Sequence, residues 1–164
     1  MIPEARVPEA AGLPGLFLHA LSVPEAAIDG NGHANNLEYL RWIQDAATAH
    51  SDAVGWTLAR YREARSTWVI RSHQVDYLRP AFAGEALVVA TWVGGFAAQT
   101  SPRHCLVWRP GDAKVLVRAT TLWVKVDAAT GRAAAIPEPL RAAFPVLTDE
   151  SAVLQALRTG HFTA

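Results

Sequence analysis

The sequence predicts an α+β fold in which a five-stranded antiparallel sheet wraps around one long helix. In Leu37–Val54, polar residues recur at intervals of three and four while apolar residues fill most other positions, which is typical of a largely buried helix. One strand-like segment precedes this helix. Four segments rich in Val, Trp, Thr and Leu follow it, separated by turn residues. The 164 residues fit one domain.

Before the helix, the sequence predicts an arm, a strand and a loop. Residues 1–15 are rich in Pro and Ala and are expected to form an irregular N-terminal arm. Leu16–Ala26 is predicted as the first strand. Ile28–Asn36 is dense in Gly and Asn, so it is predicted as a loop that leads directly into the helix. Asn35 or Asn36 can cap this helix by accepting a hydrogen bond from a free amide of the first turn.

After the helix, which Gly55 is expected to end, strands and turns alternate. The predicted strands are Thr67–Leu78, Ala86–Phe96, Arg103–Arg109 and Lys114–Val126. Short turns favour antiparallel pairing between strands that are neighbours in the sequence. The domain is predicted to span residues 16–145, followed by a C-terminal tail over 146–164. Short helices are expected near Pro139–Ala143 and Glu150–Arg158.

The apolar content of the predicted sheet indicates an oligomer. A sheet has two faces and one helix can cover only one of them, yet Ala86–Val93 is apolar at nearly every position. A large exposed apolar surface is usually buried by a partner. We therefore expect a second copy of the chain to cover the other face.

Composition and charge exclude several classes of protein. Hydrophobic residues make up 51% of the chain and charged residues 18%, which supports a folded core. Fifteen basic residues balance fifteen acidic ones, so neither nucleic-acid binding nor attachment to a membrane surface is expected. No segment approaches the roughly 20 apolar residues of a transmembrane helix, and the N-terminus lacks the features of a signal peptide. Cys105 is the single cysteine, so no internal disulfide can form, and we expect a cytoplasmic protein.

The loop before the helix carries the most reactive set of side chains, because Asp29, Asn31 and His33 alternate there with glycines. Free amides and the positive dipole end of a helix can stabilise a developing oxyanion. A neighbouring carboxylate can activate water or attack a carbonyl carbon directly. Asn, Asp and Gly are also ordinary turn residues, so the spacing alone leaves a purely structural loop open. Asp29 and His33 would supply only two metal ligands, so no metal site is expected.

The segment Asp29–Tyr39, DGNGHANNLEY, resembles the signature loop of hotdog-fold acyl thioesterases. This group includes the 4-hydroxybenzoyl-CoA thioesterase-like bacterial enzymes and the plant acyl-ACP thioesterases. The order of helix and strands along the chain is also similar to that of the hotdog fold. The resemblance covers most of Leu16–Pro137. It continues at Trp68–Pro80, Gly84–Leu87, Thr91–Trp92 and Trp123–Pro137.

The resemblance implies roles for individual residues. Asp29 matches the catalytic carboxylate of the family, and Asn31 and His33 match the polar residues that accompany it. Asn36 falls where related enzymes offer a main-chain amide to the thioester oxygen. The family fold implies a homodimer with a continuous sheet, often paired into a tetramer, with active sites near the subunit interface. It also implies an acyl-CoA or acyl-carrier-protein substrate, and no metal or other cofactor.

Three alternatives stay open. Some hotdog thioesterases place the catalytic acid on the central helix, where Glu38 and Asp45 are available, and Glu63 lies beyond it. A hotdog hydratase or dehydratase would use a different His–acid arrangement, which the sequence does not contain. The third alternative is a non-catalytic acyl-CoA-binding module. A regulator of that kind is expected to carry a helix-turn-helix, for which the roughly fifteen residues before the first strand are too few.

The remaining assignments concern CoA binding and packing. The phosphates of CoA require basic side chains, and the candidates are Arg71, Arg79, Arg103, Arg109, Lys114 and Arg118. The six tryptophans are expected to lie in the core or in an interface. Cys105 lies in an apolar strand and is expected to be a packed thiol. At Glu85 the chain differs from the family, which often has Asp after the preceding glycine.

Overall fold

The computed structural model describes residues 12–160, and most of the predicted N-terminal arm lies outside this range. The strands are β1 (Phe17–Ser22), β2 (Ser66–Tyr77), β3 (Ala86–Val93), β4 (Thr100–Arg109) and β5 (Lys114–Asp127). The α-helices are α1 (Asn36–Ala53), α2 (Leu58–Glu63), α3 (Glu138–Ala143) and α4 (Glu150–Thr159), with a 3-10 turn at Glu25–Ala27. The sequence predicted every strand and three of the helices, and α2 is the helix that it did not predict.

The strands form one antiparallel sheet in the order β1-β3-β4-β5-β2, which confirms the predicted α+β class. The hairpins β3–β4 and β4–β5 follow the expected pairing of sequence neighbours. The expectation is wrong for β2 and β3, because β1 occupies the remaining edge of β3 and β2 pairs with β5 at the other end of the sheet. Pro80–Gly84 is therefore a crossover between distant strands instead of a hairpin turn.

Helix α1 is the main helix, with 18 residues, and its ends follow from local sequence. Asn35 is the N-cap, because its side-chain oxygen accepts a hydrogen bond from the Leu37 amide at 2.9 Å. Gly55 follows the last turn with φ +83°, a conformation in which glycine is favoured. Among the helices of residues 12–160, none combines the length and apolarity needed to cross a membrane.

The two faces of the sheet are covered by different helices of the same chain. On one face, Trp42 and Ile43 of α1 pack in a cluster with Leu87 and Val89 of β3. On the other face, a second cluster contains the alternate residues of β3 and the apolar side of α4: Val88, Ala90, Trp92, Val153 and Leu157. Our expectation that a second copy covers this face is therefore wrong over β3 and its neighbours, where α4 already does so.

Strand β2 leaves one long edge of the sheet unpaired within the described chain. It runs for 12 residues and hydrogen bonds only to β5. Apolar side chains along it and at its end are largely open to solvent, with Val69 45%, Tyr77 43% and Leu78 46% exposed. An extended edge of this kind is a template for pairing with another strand.

Candidate active site

The loop from Asp29 to His33 is a tight turn that positions one carboxylate. It is closed by a bridge between Ile28 and Ala34 and by hydrogen bonds from the Asp29 amide to the His33 carbonyl and from the Gly32 amide to the Asp29 carbonyl, each 3.0 Å. The Asp29 Oδ1 atom accepts a hydrogen bond from the Asn31 amide at 2.8 Å. Its Oδ2 atom accepts none from the described residues, so this half-buried carboxylate keeps one oxygen available for chemistry.

The first turn of α1 presents one free main-chain amide beside this loop. The Leu37 amide donates to the Asn35 side chain and the Glu38 amide donates to the Asn35 carbonyl at 3.0 Å. The Asn36 amide has no acceptor within residues 12–160, and it lies at the positive end of the α1 dipole. It is therefore the donor of this turn that can bind a negatively charged oxygen.

Tyr39 holds the β2–β3 crossover against the start of α1. Its buried phenolic oxygen accepts a hydrogen bond from the Ala81 amide at 3.0 Å, while the Ala81 carbonyl accepts from the Ala34 amide at 2.8 Å. Burial raises the pKa of Tyr39, so the phenol stays neutral. Tyr39 thus fastens the start of α1 to the crossover that also contacts the Asp29 loop, a role that sequence spacing did not reveal.

Glu85 and Arg109 fix the other side of the crossover. The Glu85 carboxylate accepts from the Phe82 amide at 2.9 Å and forms an ion pair with Arg109 at 3.1 Å. Arg109 also donates to the Pro80 carbonyl and forms a bidentate pair with Asp112, at 3.0 and 2.8 Å. Hydrogen bonds and ion pairs to Asp112 and Glu85 raise the pKa of Arg109. Glu85 therefore holds the crossover in place.

The four predicted site residues lie together, but they are not all linked. Asp29, Asn31 and His33 belong to one turn, and Asn36 begins the helix that follows. No hydrogen bond joins the Asp29 carboxylate to the His33 ring, and the Asn31 side chain is exposed. The Asn36 amide is without an acceptor among the described residues, while the Asn36 carbonyl accepts from the Tyr77 hydroxyl at 3.1 Å.

The alternative acids lie in less suitable places. Glu38 forms an ion pair with Arg41 at 3.6 Å, and Asp45 and Glu63 are exposed on helix surfaces. The described part of the chain contains no group of three or more His, Cys, Asp or Glu side chains that could hold a metal ion.

The candidate phosphate-binding residues separate into free and engaged groups. Arg103, one of the candidates, is only 7% exposed, so its side chain is poorly placed to reach the phosphates of a CoA bound at the surface. Arg109 is held by two carboxylates, and Arg118 pairs with Glu150 at 2.7 Å. Arg71 and Lys114 are exposed and form no ion pair with the described residues.

Cys105 is buried as predicted, and burial raises the pKa of its thiol.

A cavity of about 220 Å³ lies at the opposite end of α1. Residues of α1, α2, β2, β3, β4 and β5 line it, including Ala47, Tyr61, Trp68, Arg103 and Trp123. Ala47 is eleven positions beyond Asn36, which corresponds to about 16 Å along a helix. Within one chain, therefore, the Asp29 loop and this cavity are separate. The sequence analysis did not predict the cavity, because its walls come from distant segments.

Comparison with known proteins identifies the family. The family model of the thioesterase-like superfamily matches residues 23–144, so the chain belongs to this superfamily. The chain is 32% identical over 98 residues to a palmitoyl-acyl carrier protein thioesterase of Gossypium hirsutum, an alignment that covers 55% of this chain and 24% of the relative. It is 24% identical over 163 residues to a dodecanoyl-[acyl-carrier-protein] hydrolase of Umbellularia californica, covering 92% of this chain and 43% of that protein.

Solved structures show the same fold. The crystal structure of a 1,4-dihydroxy-2-naphthoyl-CoA thioesterase from Synechocystis superimposes with a TM-score of 0.73 and 21% identity, covering 79% of this chain and 95% of that one. These similarities confirm the predicted hotdog fold. The chain spans less than half the length of the curated relatives that it matches.

Proposed function

We propose that this protein hydrolyses acyl thioesters with Asp29 as the catalytic carboxylate and the Asn36 amide as the oxyanion donor. The observation that carries the proposal is that one oxygen of the Asp29 carboxylate accepts no hydrogen bond from the described residues, while the Asn36 amide, three residues beyond the end of the same turn at His33, has no acceptor among them. Membership of the thioesterase-like superfamily supports the class of reaction.

In the proposed reaction, the thioester carbonyl oxygen accepts a hydrogen bond from the Asn36 amide, which stabilises the negative charge that develops as the carbonyl carbon is attacked. Asp29 takes a proton from the attacking water, and the C–S bond then breaks as the thiolate recovers that proton. Alternatively, the Asp29 carboxylate attacks the carbonyl carbon, the C–S bond breaks with release of the thiolate, and water then hydrolyses the resulting mixed anhydride to the free acid and the restored carboxylate. Trapping of an acyl-Asp29 species with hydroxylamine would distinguish direct attack from base catalysis.

Asn31 and His33 are proposed to orient the water and the substrate. Both lie within four residues of Asp29 in the same turn, and the Asn31 amide already fixes the orientation of the carboxylate. The His33 ring is half-buried and forms no side-chain hydrogen bond with the described residues, so both ring nitrogens can meet a substrate.

The proposed substrates are acyl-CoA or acyl-carrier-protein thioesters. Two curated relatives are named for carrier-protein substrates, and a solved structure of the same fold is named for a CoA substrate. The exposed side chains of Arg71 and Lys114 are free to contact the phosphates of either carrier. A cytoplasmic location, expected from the single thiol, remains a prediction.

We propose that two copies pair through their β2 edges, as a dimer or as the unit of a tetramer. The two ends of β2 lie near opposite ends of α1. Near the start of the strand, the Trp68 indole donates to Tyr61 of α2, whose hydroxyl lies 3.3 Å from that of Ser51 in the last turns of α1. Near its end, the Tyr77 hydroxyl donates to the Asn36 carbonyl at the beginning of α1. Antiparallel pairing would bring the end of one β2 beside the start of its partner. The Asp29 loop of each copy would then lie next to the cavity of the other.

A thiol-release assay tests this function. Purified protein is incubated with a panel of acyl-CoA and acyl-carrier-protein substrates, and free thiol is measured over time. Release above the buffer rate is the expected result. Binding without release would favour an acyl-CoA-binding module, and reversible hydration of an enoyl thioester without release would favour a hydratase.

A further inference from the structure

The cavity at the carboxyl end of α1 contains a buried cation without a buried anion. Arg103 is 7% exposed and lines the cavity, yet no carboxylate of residues 12–160 lies within ion-pair distance of it. The only acidic residue in the cavity wall is Asp52, whose side chain is exposed at the surface. A buried charge of this kind is costly unless a partner of opposite charge compensates it.

The contacts of Arg103 leave one specific edge of its guanidinium free. The Nη1 atom is engaged by the Nδ1 atom of His50 at 3.0 Å and by the Thr91 hydroxyl at 3.1 Å. The Nε and Nη2 atoms of Arg103 donate to no described residue. Neither atom is fully enclosed by the protein, so both retain accessible surface. This edge is the one that binds carboxylates in a bidentate manner, as Arg109 does with Asp112 in this same chain.

The surroundings of the cavity favour an organic acid over an inorganic ion. Most of the wall is apolar or aromatic, including Val93, Phe96 and Phe144. Its volume of about 220 Å³ is smaller than that of typical drug-sized pockets, so it suits a compact molecule and excludes a whole CoA. An acid with a short apolar or aromatic body would match both the cation and the walls.

Two further donors lie in the same wall. The indole Nε1 atoms of Trp56 and Trp123 are the enclosed side-chain polar atoms that lack a partner within the described residues, and both tryptophans line the cavity. Buried donors are rarely left unpaired. The cavity wall therefore contains several donors and no buried acidic side chain.

We propose that this cavity is a carboxylate-binding site, with the free edge of the Arg103 guanidinium as its anchor and a compact acid with an apolar body as its ligand. The acid could come from two sources. It is either a free acid, or the far end of a carboxyl-bearing acyl group whose thioester is held by the Asp29 loop of a partner copy. The second source rests on the proposed function and on the β2 dimer, whereas the first does not.

Calorimetric titration of the whole chain with phenylacetate and with the isosteric neutral phenylacetamide tests the site. Phenylacetate should bind at least about tenfold more tightly, because only the carboxylate forms charge-assisted bonds with Arg103. Arg103→Gln should remove this preference, and Arg103→Lys should weaken it because lysine lacks the planar fork. Trp123→Phe should reduce affinity less. Arg118→Gln, on the far face beside α4, is the matched control and should bind as the wild type does.

The results that would overturn the proposal are equal affinity for acid and amide in the wild type, or an acid preference that survives in Arg103→Gln. If Arg103→Gln fails to fold, two measurements still test the proposal: the affinities of the wild type for phenylacetate and phenylacetamide, and the affinity of Arg103→Lys for phenylacetate. Binding without any thioester turnover would refute the proposed function while supporting the site.

Turnover of two matched thioesters distinguishes the sources of the acid. Glutaryl-CoA and pentanoyl-CoA have the same chain length and differ in a terminal carboxylate. A higher kcat/KM for glutaryl-CoA that is lost in Arg103→Gln would assign the site to the acyl group. Phenylacetate binding without such a preference would assign it to a free acid.

Discussion

The phenolic oxygen of Tyr39 accepts a hydrogen bond from the Ala81 amide at 3.0 Å, and this contact joins the main helix to the β2–β3 crossover. Ala81 is fully buried and its carbonyl in turn receives the Ala34 amide. One side chain thus connects the Asp29 loop, the helix and the crossover.

Replacing Tyr39 by Phe should destabilise the protein without altering the chemistry directly. The Ala81 amide would lose its acceptor in a buried place, which costs about 1–3 kcal/mol in the free energy of unfolding. Urea unfolding followed by circular dichroism measures this change. Trp42→Phe, which removes bulk from the same cluster without removing an acceptor for Ala81, is a useful comparison. Unchanged stability of Tyr39→Phe would show that the contact contributes nothing.

Replacing Asp29 by Asn should abolish most turnover and leave the fold intact. Asn keeps an oxygen that can accept from the Asn31 amide, but it cannot take a proton or act as a carboxylate. General-base assistance is typically worth about 10²–10⁴-fold, so kcat should fall by that factor while the melting temperature changes little. Asp45→Asn, at an exposed acid on α1, is the control. Near-native turnover of Asp29→Asn would end the assignment.

Sedimentation of the wild-type protein should give a mass of at least twice 17.7 kDa. A charged side chain introduced on β2 should lower that mass toward the mass of a single chain. Val69, which is 45% exposed on this strand, becomes desolvated when two edges pair, so Val69→Lys should weaken the dimer. Val146→Lys is the matched control, because Val146 is 48% exposed but lies between α3 and α4. Equal masses for both variants would argue against the β2 interface.

Acid should destabilise the protein through His50. Burial, and secondarily the charge of Arg103, lower the pKa of His50 to about 3 from 6.5. Because the unfolded chain binds the proton more readily, this contribution to stability is complete above pH 6.5 and is lost as the pH falls toward about 3. Its slope approaches about 1.4 kcal/mol per pH unit.

The comparison variant for this effect is His50→Gln, whose side-chain oxygen can still accept from Arg103. Between pH 7 and pH 5, the wild type should lose about 2 kcal/mol more unfolding free energy than His50→Gln. Urea midpoints at the two pH values give the difference. Parallel losses in the two proteins would contradict a buried neutral histidine.

The parts of the fold that depend on neighbouring residues were predictable from the sequence. The ends of α1 follow from the Asn35 cap and from Gly55, both of which act within a few residues. The place of β2 was not predictable from local turns, because it depends on β1 having occupied the free edge of β3. Strand pairing is decided by distant segments, and no turn signal records that competition.

The candidate site shows the same division. Asp29, Asn31 and His33 could be selected because they share one short loop. The sequence does not show which amide of the first turn is free. The Asn35 side chain and carbonyl accept from the two amides that follow Asn36, and the Asn36 amide is left without an acceptor among the described residues. The burial of Arg103 was not apparent either, because its strand position is also compatible with a solvent-facing arginine.

Helix α4 has a consequence for how the chain folds during synthesis. All five strands precede Glu150–Thr159, so α4 is the last helix or strand of the described chain to become available for packing. Until then Trp92 and Leu106, which later pack with α4, face water on a broad apolar surface. A nascent chain at this stage is prone to association with chaperones or with other nascent chains. Release from that state depends on the last helix of the domain docking promptly.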